Sequence, residues 1–322
     1  MRKSLLLLGL LLVGQWSMAQ MDREVLSVVL GEQLYEKGLL ETAIPFKSNA
    51  IPFHLNGGLI FFKAKMNGVS DTFVLDTGSP SLLLNESVKK EDNNSFAAVG
   101  VSGGLMFKRK SGYTFEMGPS LNTDVSCLSA NLTHLEKVKN QEFRGMVGYS
   151  LLKEHELFLD YKNRLMRLLD GGALTSQKGL YRSESVPVEF QQHFAVLEVK
   201  IGKRTFNFGL DTGAEVNIID KEVAKWLPAK FFELTETIKI RGVSKKGVGA
   251  DVGEVSKCTI ANKELEGMSF VVIDMKLLNE GKNVQLDGLL GFPYLSSDLI
   301  SIDYVNEMLH IWKAEEELMV KE

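Results

Sequence analysis

At 322 residues, with 44% hydrophobic and 24% charged side chains, the chain is long enough for two lobes with a core each and has the balance of a folded globular protein. Its 37 basic and 41 acidic residues leave a formal charge of −4, which offers no electrostatic footprint for nucleic acid or an anionic membrane.

The elements follow in chain order. Met1-Arg2-Lys3 is a short basic start, Leu5 to Val13 is apolar apart from Gly9, and Ser17-Met18-Ala19 supplies small residues at cleavage spacing. This predicts a cleaved export signal over residues 1–19, because the apolar core is far shorter than the ~20 residues that span a bilayer. The mature chain would be periplasmic or secreted, with no stable membrane insertion. Loss of Arg2 and Lys3 leaves 37 − 2 = 35 basic against 41 acidic residues, a charge of −6. In residues 20–47, Val25, Val28, Val29, Leu34, Leu39 and Leu40 recur at near-helical spacing and predict one amphipathic helix.

From Ser48 the pattern changes to short β runs. Leu59 to Met66, a turn at Asn67-Gly68 and Thr72 to Leu75 read as a hairpin, and Phe194 to Ile201, Gly202-Lys203 and Thr205 to Leu210 repeat it. The polar, glycine-rich residues 173–184 read as a linker between a lobe over 48–172 and a second over 185–313, with 314–322 as a solvated tail. Cys127 and Cys258 fall at non-equivalent places in the two halves, which favours two buried free thiols over a bridge.

Asp-Thr-Gly occurs twice, as Asp76-Thr77-Gly78 and Asp211-Thr212-Gly213, and the surroundings match without a gap. Pro52 and Pro187 lie at one offset upstream (76 − 52 = 24; 211 − 187 = 24). Downstream, Met146-Val147-Gly148 recurs as Leu289-Leu290-Gly291. Asp160-Tyr161 and Asp303-Tyr304 then follow at equal distance (160 − 148 = 12; 303 − 291 = 12). Four landmarks in one order establish an internal duplication. An aspartate between a hydrophobic strand and Thr-Gly sits on a tight turn, where glycine admits another backbone and a buried threonine hydroxyl needs a partner. If the two turns meet, Thr77 and Thr212 can bond the opposite loops, and Asp76 and Asp211 come within reach of one water. Two carboxyls that close hold one proton between them, so one acts as base and the other as acid.

With these motifs, residues ~48–313 resemble the pepsin and retropepsin superfamily of aspartic peptidases, in a bacterial form carrying two retropepsin-like domains in one chain. The resemblance implies a mostly β fold: two duplicated β-barrel lobes about a pseudo-twofold axis, preceded here by the N-terminal helix. A short helix is implied after each second glycine signature. It also implies an exported aspartic endopeptidase acting on peptide or protein substrates through Asp76 and Asp211. Thr77, Gly78, Ser79, Thr212, Gly213 and Ala214 would support the active turns. Gly100, Ser102 and Gly103, with Gly242 and Ser244, are flap candidates, since neither glycine-rich segment has a phosphate loop's Gly-Lys-Ser/Thr. Neither carries the flap tyrosine of pepsins.

No cofactor or metal is expected, because His54, His134, His155, His193 and His310 show no ligand spacing. A complete site in one chain implies a monomer. Ser79 beside one motif and Ala214 beside the other predict that a hydroxyl favours the ionised form of Asp76 alone. The alternatives are a silent peptide-binding protein on the same fold and a structural β-protein; retention of both aspartates weighs against them.

Overall fold

The computed structural model describes residues 4–8, 11–14, 49–86, 95–100, 103–176, 180–242, 248–279 and 285–314. The helix expected over 20–47 and the tail from 315 lie outside them. Within the segment read as an export signal, Ser4–Leu8 and Leu11–Gly14 form a hairpin whose first strand runs parallel to Lys239–Gly242. Among the described residues no helix is long and apolar enough to cross a membrane.

The fold is mostly β, and its local logic is visible in one pair of strands. Leu59–Met66 and Phe194–Ile201 share one burial pattern: the first four residues are buried in succession, and only then do Lys63 and Lys65, or Glu198 and Lys200, alternate outward. A strand covered on both faces needs consecutive apolar residues, whereas one facing solvent on one side needs alternation. Asn67 and Gly68 both take positive φ, 50° and 78°, the geometry of the two-residue turn that matches strand twist.

In the first half, six strands close on themselves. Leu59–Met66 pairs with Val69–Leu75, which runs parallel to Gly145–Val147; that pairs with Leu82–Asn85, then Ser120–Ala130, then Gly103–Met117, which returns to Lys65 and Met66. In the second half Phe194–Ile201, Arg204–Leu210, Gly288–Leu290, Asn217–Asp220, Lys263–Ile273 and Val248–Ile260 follow the same order of pairings, with Val199 and Lys200 meeting Ile260 and Thr259. Short helices, Tyr149–Leu152 and Phe292–Leu295, follow the two glycine signatures, and Pro293 sits in the first turn of the second.

Strands from both halves also share one antiparallel layer, in the order Leu180–Pro187, Met308–Ala314, Leu299–Asp303, Glu156–Asp160, Leu165–Leu169, Ile51–Asn56. This revises the linker expected over 173–184: Ala173–Ser176 is a 3-10 turn, and the chain is already a strand from Leu180, paired with Ala314 onward to Pro187–Met308. The polar composition of that stretch hid it, because backbone pairing at a sheet edge needs no apolar period. The largest apolar cluster holds Phe53, Leu75 and Tyr161 together with Leu210, Leu290 and Tyr304, so the core is continuous between the halves.

Candidate active site

Each aspartate is placed by a strand that ends in the core. Phe73, Val74 and Leu75 are fully or almost fully buried and pair in register with Gly145, Met146 and Val147; Phe208, Gly209 and Leu210 do the same with Gly288, Leu289 and Leu290. The ladder continues one step beyond each strand, since Asp76 N–H donates to the Val147 carbonyl at 2.9 Å and Asp211 N–H to the Leu290 carbonyl at 3.0 Å. Gly148 and Gly291 then pass under the turns. A Cβ on Gly148 would collide with the Ser79 and Ser81 carbonyls, and one on Gly291 with those of Ala214 and Val216. The residues that follow close the contact, Tyr149 N–H to Ser79 O at 2.9 Å and Phe292 N–H to Ala214 O at 2.7 Å.

The two turns meet through their threonines. Thr77 N–H donates to Thr212 Oγ1 at 3.0 Å, and Thr212 N–H to Thr77 Oγ1 at 3.0 Å. Each hydroxyl then donates to the strand carrying the other aspartate: Thr77 to Leu210 O at 3.3 Å and Thr212 to Leu75 O at 3.0 Å. Both side chains are buried, so four hydrogen bonds satisfy groups that would otherwise be costly to bury. The consequence is that Asp76 and Asp211 face each other within hydrogen-bonding reach. Gly78 is needed at this approach, because a Cβ there would lie 2.6 Å from the Asp211 carboxyl carbon.

Asp76 is 3% exposed and Asp211 wholly buried. Burial pushes the Asp76 carboxyl up to about 7 against backbone donors at Gly78 and Ser79. Burial drives Asp211 well above the carboxylate range, and the facing charge of Asp76 drives it further. Gly213 N–H donates to Asp211 Oδ1 at 2.8 Å, while Asp76 Oδ1 and Asp211 Oδ2 have no hydrogen-bond partner among the described residues. Such a pair accepts one proton readily and gives up the second reluctantly. That arrangement suits it to act on one water as base and acid together.

The Ser79 hydroxyl does not behave as expected: it donates to the Ser81 carbonyl at 3.0 Å. The backbone N–H of Ser79, an atom every residue but proline has, is what faces Asp76. Ala214 is buried and its N–H donates to the Asp211 carbonyl at 3.2 Å, so side chains at 79 and 214 do not separate the two acids. Of the flap candidates, Gly100 and Gly103 pair with each other at the end of a hairpin, and Gly242 ends the strand Phe232–Gly242. Ser102 and Ser244 lie outside the described residues.

Several residues around the turns were not legible in the sequence. The His193 Nε2–H donates to the Gly78 carbonyl at 2.9 Å. Lys139 and Glu215 form an ion pair between the halves, and Tyr161 and Tyr304, the tyrosines of the Asp-Tyr repeats, are buried where they feel the Asp211 charge. Only the repeated Asp-Tyr could have hinted at the last two. Glu156, Asp303 and His310 also converge in the shared layer, within 4.8 Å of one another. Asp303 there already accepts from Val305, Asn306 and Gly172 backbone and from the Asn306 side chain, which fills its lone pairs. Surface cavities of about 360 and 950 Å³ open elsewhere and are not lined by either aspartate, so the site is marked by converging buried polar groups.

Cys127 and Cys258 are buried free thiols. Residues 197–294 match the model of a family described as Aspartyl protease, a span that encloses Asp211-Thr212-Gly213 and Leu289-Leu290-Gly291. No curated protein showed a match to the chain. The family match supports a protease, and so a hydrolase.

Proposed function

We propose that the protein is an exported, monomeric aspartic endopeptidase built from two pseudo-twofold-related β lobes, with Asp76 and Asp211 as its acid and base. One observation carries the reading: two buried carboxyls face each other on turns locked together by the Thr77 and Thr212 hydrogen bonds. The parallel order of strand pairings in the two halves and the layer they share support the duplicated architecture.

The mechanism follows from the shared proton. The ionised member takes a proton from a water lying between the carboxyls, and the water oxygen attacks the peptide carbonyl carbon. The protonated member donates to the carbonyl oxygen as negative charge develops there. Collapse of the tetrahedral species expels the amine, which takes up the proton the first carboxyl had gained, while a hydroxyl on the tetrahedral carbon returns its proton to the second carboxyl as the carbonyl reforms. Asp76 and Asp211 end with one proton between them, ready for another cycle.

Incubation with a proteome-derived peptide library and mass-spectrometric readout tests the reading. The wild type is expected to cut internal peptide bonds, and Asp76→Asn to lose at least about a hundredfold of that rate, the usual contribution of a positioned acid or base. Equal, negligible cleavage by both proteins removes the peptidase reading, and retained peptide binding would then indicate a binding protein on this fold.

A further inference from the structure

The two hairpin turns nearest the aspartates lie at equivalent places in the duplication, Asn56 to Gly58 and Gln191 to His193 (56 + 135 = 191; 76 + 135 = 211). Each bears on the other half's active turn, by different chemistry. From the second half, His193 Nε2–H reaches the Gly78 carbonyl at 2.9 Å. From the first half, a lysine does the reaching. Lys139, at the end of the helix Thr133–Lys139, donates to the Asn56 carbonyl at 2.9 Å, and the Asn56 side chain returns a hydrogen bond to the Lys139 carbonyl at 3.0 Å. So anchored, the ammonium pairs with Glu215, four residues beyond Asp211, and the two side chains are 3% and 1% exposed. Gly57, with φ +66°, passes so close that any Cβ would strike both partners; Gly58, with φ +101°, lies against Phe292, whose N–H holds the Ala214 carbonyl.

We propose that Lys139 and Glu215 are positioning residues: their buried ion pair fixes the Asp211 turn against the first half, and so sets where the Asp211 carboxyl meets Asp76. The inference rests on the peptidase reading for its kinetic consequence only. A buried pair is weak evidence of net stability, because its attraction largely repays the cost of taking both charges out of water. Its place across the seam between the halves, beside the turn, gives it a geometric role. Among the described residues the Glu215 Oε2 atom has no hydrogen-bond partner, and the Lys139 contact at Oε1 is the polar hold on the carboxylate there.

Glu215→Asp tests this in a protein that keeps both charges and shortens the reach by one methylene. Its kcat is expected to fall about tenfold with KM within about twofold, as displacement of a reacting group by an ångström or less produces. Unchanged kcat overturns the proposal. Lys139→Met/Glu215→Leu removes both charges for apolar volume and is expected to melt near the wild type while kcat stays depressed. Recovery of both properties would make the pair structural alone and overturn the positioning role. Carboxyl NMR separates this from the peptidase reading, since it needs no turnover: the Asp211 titration midpoint should move in Glu215→Asp. An unmoved midpoint overturns the placement even if the wild type cleaves nothing.

Discussion

At the scale of single residues, the threonines beside the aspartates carry more than their size suggests. Thr212 donates through its hydroxyl to Leu75 and accepts from Thr77, so Thr212→Val loses two buried hydrogen bonds and leaves the Thr77 N–H without its partner. The expected cost is about 2–4 kcal/mol of stability, at roughly 1–2 kcal/mol for each disrupted buried bond. Thr212→Ser, which keeps the hydroxyl, should recover most of it; equal melting temperatures for the two variants would contradict this. The sequence made the threonine contacts legible because a buried hydroxyl must find a partner and the duplication supplied one. It misled at Ser79 because a hydroxyl next to a carboxylate has other acceptors, and here it donates to the carbonyl two residues on. Lys139 and Glu215 were illegible because nothing local links them, 76 residues apart.

Among elements, the glycine signatures and the shared layer make distinct predictions. Gly148→Ala puts a methyl into the Ser79 and Ser81 carbonyls, backbone that cannot rotate away. It should destabilise the protein by about 1–3 kcal/mol, the range for overpacking, and denaturant unfolding would reveal it. In the shared layer Glu156 stands directly opposite Asp303, both wholly buried. Burial raises the Glu156 carboxyl, although Ser301 donates to it at 2.5 Å. A carboxyl raised on folding favours the folded state at low pH and loses that advantage as pH climbs from its unfolded value near 4.5 through its folded value. Glu156→Gln should therefore match the wild type near pH 4 and exceed it in melting temperature at pH 8. A constant difference across that range would contradict the assignment. The repeated hairpins and glycine signatures were readable from spacing alone. The convergence of Glu156, Asp303 and His310 was not, since it depends on a strand register between halves that no local pattern encodes.

For the molecule as a whole, the two turns belong to one chain, so specific activity should not change on dilution; a loss would point to a dimeric enzyme. Activity should rise as pH climbs through about 7, where Asp76 ionises and a base becomes available, and should fall as pH climbs further through the higher value of Asp211, because the last proton is then withdrawn and no acid remains to stabilise the oxyanion. Both carboxyls are raised by burial, so the folded state is favoured while they hold protons and is penalised as pH climbs through their folded values. The central claim is that Asp76 and Asp211 titrate as one unit. Carboxyl-carbon NMR of aspartate-labelled protein, titrated beside Asp76→Asn and Asp211→Asn, measures this directly. The account predicts two strongly displaced, linked steps in the wild type, and a shift of the surviving aspartate's midpoint in each variant. Two independent midpoints near 4, untouched by either substitution, would contradict it.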